Sequence, residues 1–133
     1  MSKKSDQVEM DALINRWVGT SAPALGVTCV AQSGASAPET AGGRVYSDGL
    51  VWSINNGKGA AAATFTGSYR DASIGGTVLE SFDVVVAAGA SAADAYYAVI
   101  PGIVGNQVFF EFGTPNASAQ QKATIVGWQE DFR

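Results

Sequence analysis

The sequence contains no histidine and a single cysteine, Cys29. Without histidine, the usual neutral-pH proton shuttle and the commonest transition-metal ligand are both missing. One cysteine excludes an intrachain disulfide and a cysteine-rich zinc site within one chain. Charge is scarce as well: 15% of residues are charged, against about 25% in soluble globular domains. Such a surface is either low-complexity polar loop or surface covered by other subunits. The basic residues Lys3, Lys4, Arg16, Arg44, Lys58, Arg70, Lys122 and Arg133 are scattered, and the net charge is -4. A nucleic-acid surface concentrates positive charge in a patch or stripe, so no sequence-specific nucleic-acid partner is expected. No apolar run reaches the length of a membrane helix, so no membrane partner is expected either. Met1 to Asp11 is polar and charged, without the apolar stretch of a secretory leader, and the expectation is folding in the cytoplasm.

What is present suits one small domain. The chain has 133 residues, 47% of them hydrophobic, with sixteen glycines. That is enough apolar surface to fold without a disulfide or a metal. Cys29, within Val27-Thr28-Cys29-Val30, reads as a small buried thiol in a strand, since no base or cation stands near it in sequence to activate it.

Apolar spacing divides the chain. Met10, Leu13, Ile14 and Trp17 follow three-and-four spacing, so Ser5 to Val18 is expected to be a helix, with Asp6 and Glu9 capping it and Gly19 ending it. The expected organisation is an N-terminal helical segment over 1–19 and a β-sandwich or barrel over 20–133. Leu25 to Ala31 reads as a strand, and Gln32 to Gly43, small and polar, as a loop or arm long enough to contact a partner. In Arg44 to Ile54, Leu50, Trp52 and Ile54 alternate on one face, with a turn at Asp48-Gly49. The turn signal Asn55 to Gly59 then predicts a hairpin with Ala63 to Tyr69. Thr77 to Ala88 is strand material. Ser91 and Asp94 have the spacing of a second cap, predicting a short helix through Val99 that Pro101-Gly102 ends, while the two tyrosines, Val99 and Ile100 also suit an extended segment. Gln107 to Phe112 and Lys122 to Trp128 are the last strands. The fold class expected is mainly β, an antiparallel sandwich or barrel with an N-terminal helix and a second short helix.

Chemistry is harder to find. A fold can unite distant carboxylates, and Asp48, Asp71, Glu80, Asp83, Asp94 and Glu111 are the candidates. No two are paired by spacing, and Asp71 and Asp94 read as turn and cap residues. Neither a phosphate-binding loop nor a dinucleotide fingerprint is present. No enzyme activity, cofactor or metal is therefore expected. Trp52, Phe65, Phe82, Phe110 and Phe112, at alternating positions, are core candidates. Tyr96, Tyr97 and Phe109 are interface candidates, because adjacent bulky residues cannot all enter one core. Met10, Leu13 and Trp17 are assigned to support or subunit packing. Exposed rings stacking on sugars give a different reading, a carbohydrate-binding module.

The stretch Ala63-Thr64-Phe65-Thr66-Gly67-Ser68-Tyr69-Arg70-Asp71 resembles a strand-then-acid segment in tail tube proteins of long-tailed phages. Gly105 to Gly113 and Lys122 to Trp128 are similar to the paired strands of their later half. The resemblance covers about half the chain. It implies a structural virion protein whose copies form hexameric rings, stacked around a channel for DNA and joined to other virion proteins. A capsid decoration or coat protein is the neighbouring alternative.

Overall fold

A computed structural model describes residues 14–21, 24–25, 29–32, 43–71, 76–113, 115 and 118–130. Two antiparallel sheets face each other. In the first, the path runs β1 (Ile14–Thr20), β10 (Gln120–Glu130), β4 (Arg44–Asn55), β7 (Ser91–Tyr96). Short β2 (Ala24–Leu25) also lies beside β10, and β8 (Ile100–Pro101) beside β4. The second sheet runs β3 (Cys29–Gln32), β9 (Val108–Phe112), β5 (Ala63–Asp71), β6 (Val78–Val86). Strand β1 lies over β3, and β8 over β6, so the two sheets end together at each flank.

No helix occurs among the described residues, which corrects the fold class expected from spacing. Ile14 to Thr20 is a strand, paired antiparallel with β10 from Ile14↔Glu130 to Thr20↔Thr124. Its burial alternates with period two, Trp17 and Gly19 inward and Arg16, Val18 and Thr20 outward. A helix of that length is marginal alone, whereas the open side of β10 satisfies every second backbone group of an extended segment. The earlier part of the expected helix, with Met10 and Leu13, lies outside the described residues. The second expected helix is strand β7, where Ala92, Asp94 and Tyr96 pair with Ile54, Trp52 and Leu50. Asp94 does not cap a helix: its carboxylate accepts from the amide of the next residue, Ala95, at 2.7 Å.

Two smaller expectations are also revised. Asp48-Gly49 does not turn the chain. Strand β4 continues through it with a bulge, because Gly49 pairs Val126 while Ser47 pairs Gly127, leaving Asp48 unpaired and turned outward. Strands β4 and β5 do not form a hairpin, since each belongs to a different sheet. The turn between them instead crosses the sandwich. Asn55 Oδ1 accepts from the Gly57 amide, an Asx turn, and the buried Asn56 amide group donates to the carbonyls of Ala61, Val86 and Ala87. One side chain thereby ties the β4–β5 crossing to the β6–β7 crossing, where Gly89 takes a positive φ of 73°.

Between the sheets sits one aromatic cluster. Trp52 and Tyr96 come from the first sheet, Tyr69, Phe82, Phe110 and Phe112 from the second. Phe110 meets Phe112 edge-on with centroids 5.0 Å apart, and Phe82 lies nearly parallel to Phe110 at 5.9 Å. Such ring pairs each contribute about 0.5–1.5 kcal/mol beyond area burial. Gly67 makes room for them, since an added Cβ would stand 2.8 Å from Phe110 and 3.0 Å from Phe82.

Trp17 closes the other side of the core, 6% exposed, its ring laid over Gly127. Replacing Trp17 by Ala is expected to lower stability by about 3–5 kcal/mol in urea unfolding, the scale for a buried Trp. A surface helix would lose far less, so a loss under about 1 kcal/mol would rule out the strand placement. Asn56→Ala should cost about 1–3 kcal/mol in the same assay by stranding three carbonyls.

Candidate interaction surfaces

The outer face of the first sheet carries an apolar patch although the inner face already fills the core. Antiparallel sheets usually present one apolar and one polar face. Rows across β1, β10 and β4 place Val18, Val126 and Gly49 together, then Thr20, Thr124 and Val51. Beside them Trp128 and Tyr46 stack with centroids 4.6 Å apart and planes 5° off parallel. Tyr97, 79% exposed, lies with Val126 over Gly49, where an added Cβ would stand 2.9 Å from Val126 and 3.7 Å from the Tyr97 ring. Val18 and Val51 are exposed there too. At the rim, the Arg16 guanidinium donates to both oxygens of Asp48, at 2.8 and 3.1 Å. That pair raises the Arg16 pKa, through the hydrogen bond first.

A second surface lies at the flank where β6 and β7 end the two sheets. A groove of about 440 Å³ opens between them, lined by Trp52, Phe82, Asp83, Val84, Val85, Asp94, Ala95 and Tyr96. It is the exposed side of the aromatic cluster. Tyr96 spans it, its hydroxyl donating to Glu80 at 2.8 Å. That hydrogen bond, with burial and the Glu80 charge, raises the Tyr96 pKa.

The residues singled out in the sequence fall in four different places. Met10 and Leu13 lie outside the described residues, as does the side chain of Cys29. Trp17 is core, which suits support but leaves it no exposed ring for a partner. Tyr96 and Tyr97 face opposite sides of the first sheet. Phe109 is half-buried and stands across from Gln32 and Arg70 in the second sheet. No single contact therefore unites Tyr96, Tyr97 and Phe109. The apolar outer face was hidden in the sequence because both parities of β10 carry bulky residues, Ile125 on one and Val126 and Trp128 on the other. Only pairing shows that Ala123, Ile125 and Gly127 turn inward.

Each candidate carboxylate has a structural partner. Asp48 holds Arg16, Glu111 pairs with Arg70, Asp71 accepts from Asn106, Asp83 from Thr66, Glu80 from Tyr96 and Asp94 from Ala95. Among the described residues, no group of three or more Cys, Asp or Glu side chains is placed to hold a metal ion.

No family model matches the chain, and no curated protein matches it. Among solved structures, one titled "Bacillus endospore appendages form a novel family of disulfide-linked pili" aligns over 90% of this chain and 89% of its own, at 14% identity and a TM-score of 0.38. A likeness of that degree carries no argument about function.

Tyr69 supplies a test of this region. It is fully buried and its hydroxyl has no hydrogen-bond partner among the described residues. Burial, then the proximity of Tyr96 and Glu80, raises its pKa from the ordinary 10.0. The folded chain thus holds the Tyr69 and Tyr96 protons more tightly than the unfolded chain does. The stability linked to them is complete below pH 10.0 and drains as pH rises above it through the folded values. Tyr69→Phe is expected to flatten that alkaline fall in melting temperature, and at neutral pH to raise stability by about 1 kcal/mol by removing an unpartnered hydroxyl.

Proposed function

We propose that the chain is a non-catalytic structural subunit that packs against copies of itself through the outer face of its first sheet. The carrying observation is that face: Val18, Val51 and Tyr97 exposed beside Val126 and the Tyr46–Trp128 stack. A contiguous apolar patch on a soluble domain marks a contact surface or an aggregation hazard. The scarcity of charge supports the same reading, since covered surface needs little charge to stay soluble. Open strand edges at both flanks, β1 and β3 at one and β7 and β6 at the other, offer further backbone pairing among the described residues. The resemblance in sequence supports one specific form, a tail tube ring around a DNA channel, with a capsid decoration or coat role as the neighbouring form. Nucleic acid would pass without being held, given the net charge of -4.

Light scattering on the purified chain across a concentration series, followed by electron microscopy, tests the reading. Closed or stacked assemblies are expected. The double variant Val51→Lys with Tyr97→Ser should shift the chain to monomer while its circular dichroism and melting stay within about 0.5 kcal/mol of the parent, as for exposed positions. A parent chain that stays monomeric at high concentration, or a variant that assembles as before, would sink it.

A further inference from the structure

The flank between β6 and β7 invites a different partner. We propose that this groove docks an extended peptide strand of another protein, carrying an arginine that faces Asp94. Among the described residues both walls are strand edges, β6 paired with β5 and β7 with β4 on the other side, with the Ala95 amide of β7 held by the Asp94 carboxylate. Strand addition at such an edge gives affinity through main-chain hydrogen bonds and specificity through alternate side chains. The floor is aromatic, made by Trp52, Phe82 and Tyr96, and the groove's volume, about 440 Å³, is that of a small-ligand pocket.

Asp94 decides what the strand must carry. It shares the inward row with Trp52 and Ala123, yet it sits at the edge and is exposed. The Ala95 amide occupies part of its carboxylate, leaving further acceptor capacity. The other acids here are engaged: Glu80 accepts from Tyr96, and Asp83 turns to the outer face, where Thr66 donates to it at 2.7 Å. An all-apolar strand laid beside β7 would bury the Asp94 charge without compensation, so inward-facing charge on an edge rejects it. Arginine answers that charge with a planar fork and can also lie over the aromatic floor.

A second copy of this chain fits less well. The cation on its β1 edge, Arg16, stands on the outer row with Trp128 and is held by Asp48. Joined edge to edge with β7, it would lie on the opposite face of the sheet from Asp94. The proposal therefore stands apart from self-assembly, and each can fail without the other.

The test is titration of the full chain with the peptide acetyl-Val-Thr-Arg-Thr-Val-amide and with its citrulline counterpart, which keeps shape and loses charge. Trp52 emission reports binding, and Trp52→Phe should remove that signal while NMR shifts of β6 and β7 amides persist. The arginine peptide is expected to saturate and the citrulline peptide to bind about tenfold more weakly, the effect of losing one partly desolvated charge pair. Asp94→Asn should erase that difference, and Asp83→Asn should keep it. Equal binding of the two peptides, an unchanged difference in Asp94→Asn, or no saturation by the arginine peptide in the millimolar range would each overturn the proposal. Dissolution of oligomers by the peptide, seen in light scattering, would also overturn it by making a second copy the occupant.

Discussion

Strand β10 sets the terms for the first sheet. It is paired along its length with β4 on one side and with β1 and β2 on the other. Gly127 lies where that double pairing meets the largest side chain of β1. A Cβ at this position would run into the Tyr46 carbonyl oxygen and the Trp17 ring. The missing side chain lets β4 and β10 close up beneath Trp17, and the local register shift at Val126/Gly127 turns Asp48 outward to hold Arg16. Once Gly127 and Ile125 face inward, the pleat leaves Val126 and Trp128 no choice but the outer face. The apolar outer surface is thus a consequence of how the core is closed.

A second constraint joins the sheets. Phe110 touches Tyr69, Phe82 and Phe112, and Phe112 reaches Trp52 across the sandwich. Gly67 is the gap into which these rings lean. Because β6 is an edge strand, Phe82 can be covered from one side only, and Tyr96 reaches over from β7 to complete its contacts. The hydrogen bond from Tyr96 to Glu80 then locks the two edges at a fixed separation. The groove is what remains open beside that lock, so its shape is set by core packing. Its walls are preformed, which lowers the ordering cost of any strand that enters.

Much of the strand content could be read from alternation, and the failures have a common physical cause. Leu50, Trp52 and Ile54 are buried on one face as their spacing indicates, and so are Val108, Phe110 and Phe112. In these runs one parity is plainly more apolar than the other. Where both periods fit, local signals misled. Ile14 and Trp17 satisfy a helical stripe, but Trp17 also satisfies a strand beside an open edge, and non-local pairing decided between them. Ser91 and Asp94 match a cap by spacing, yet a helix from Ser91 to Val99 is too short to hold against an available strand partner. Asn56 was legible as a turn residue. Its burial and its bonds to Val86 and Ala87 were not, because the second crossing lies some thirty residues on. The interface candidates Tyr96 and Tyr97 were adjacent in sequence and so seemed one feature. The pleat sends them to opposite faces.

The low charge of the chain gains meaning once its acids are placed. Asp48, Asp83 and Glu111 each balance or accept from a neighbour on the surface of a sheet, and Glu80 and Asp71 fix local packing. None of these is free to keep the outer face of the first sheet wet. Arg16 at that face is neutralised at its rim by Asp48, and the exposed Lys122 stands at the far end of the β10 row, beside Ser53 and Thr124. Around Val18, Val51 and Val126, away from Lys122, the surface has little local repulsion to oppose the approach of a similar apolar surface. The β6–β7 flank differs in that Asp94, turned inward at an open edge, penalises apolar strands. The two surfaces therefore select by opposite means, one by lacking charge and the other by holding a charge that an incoming chain must answer.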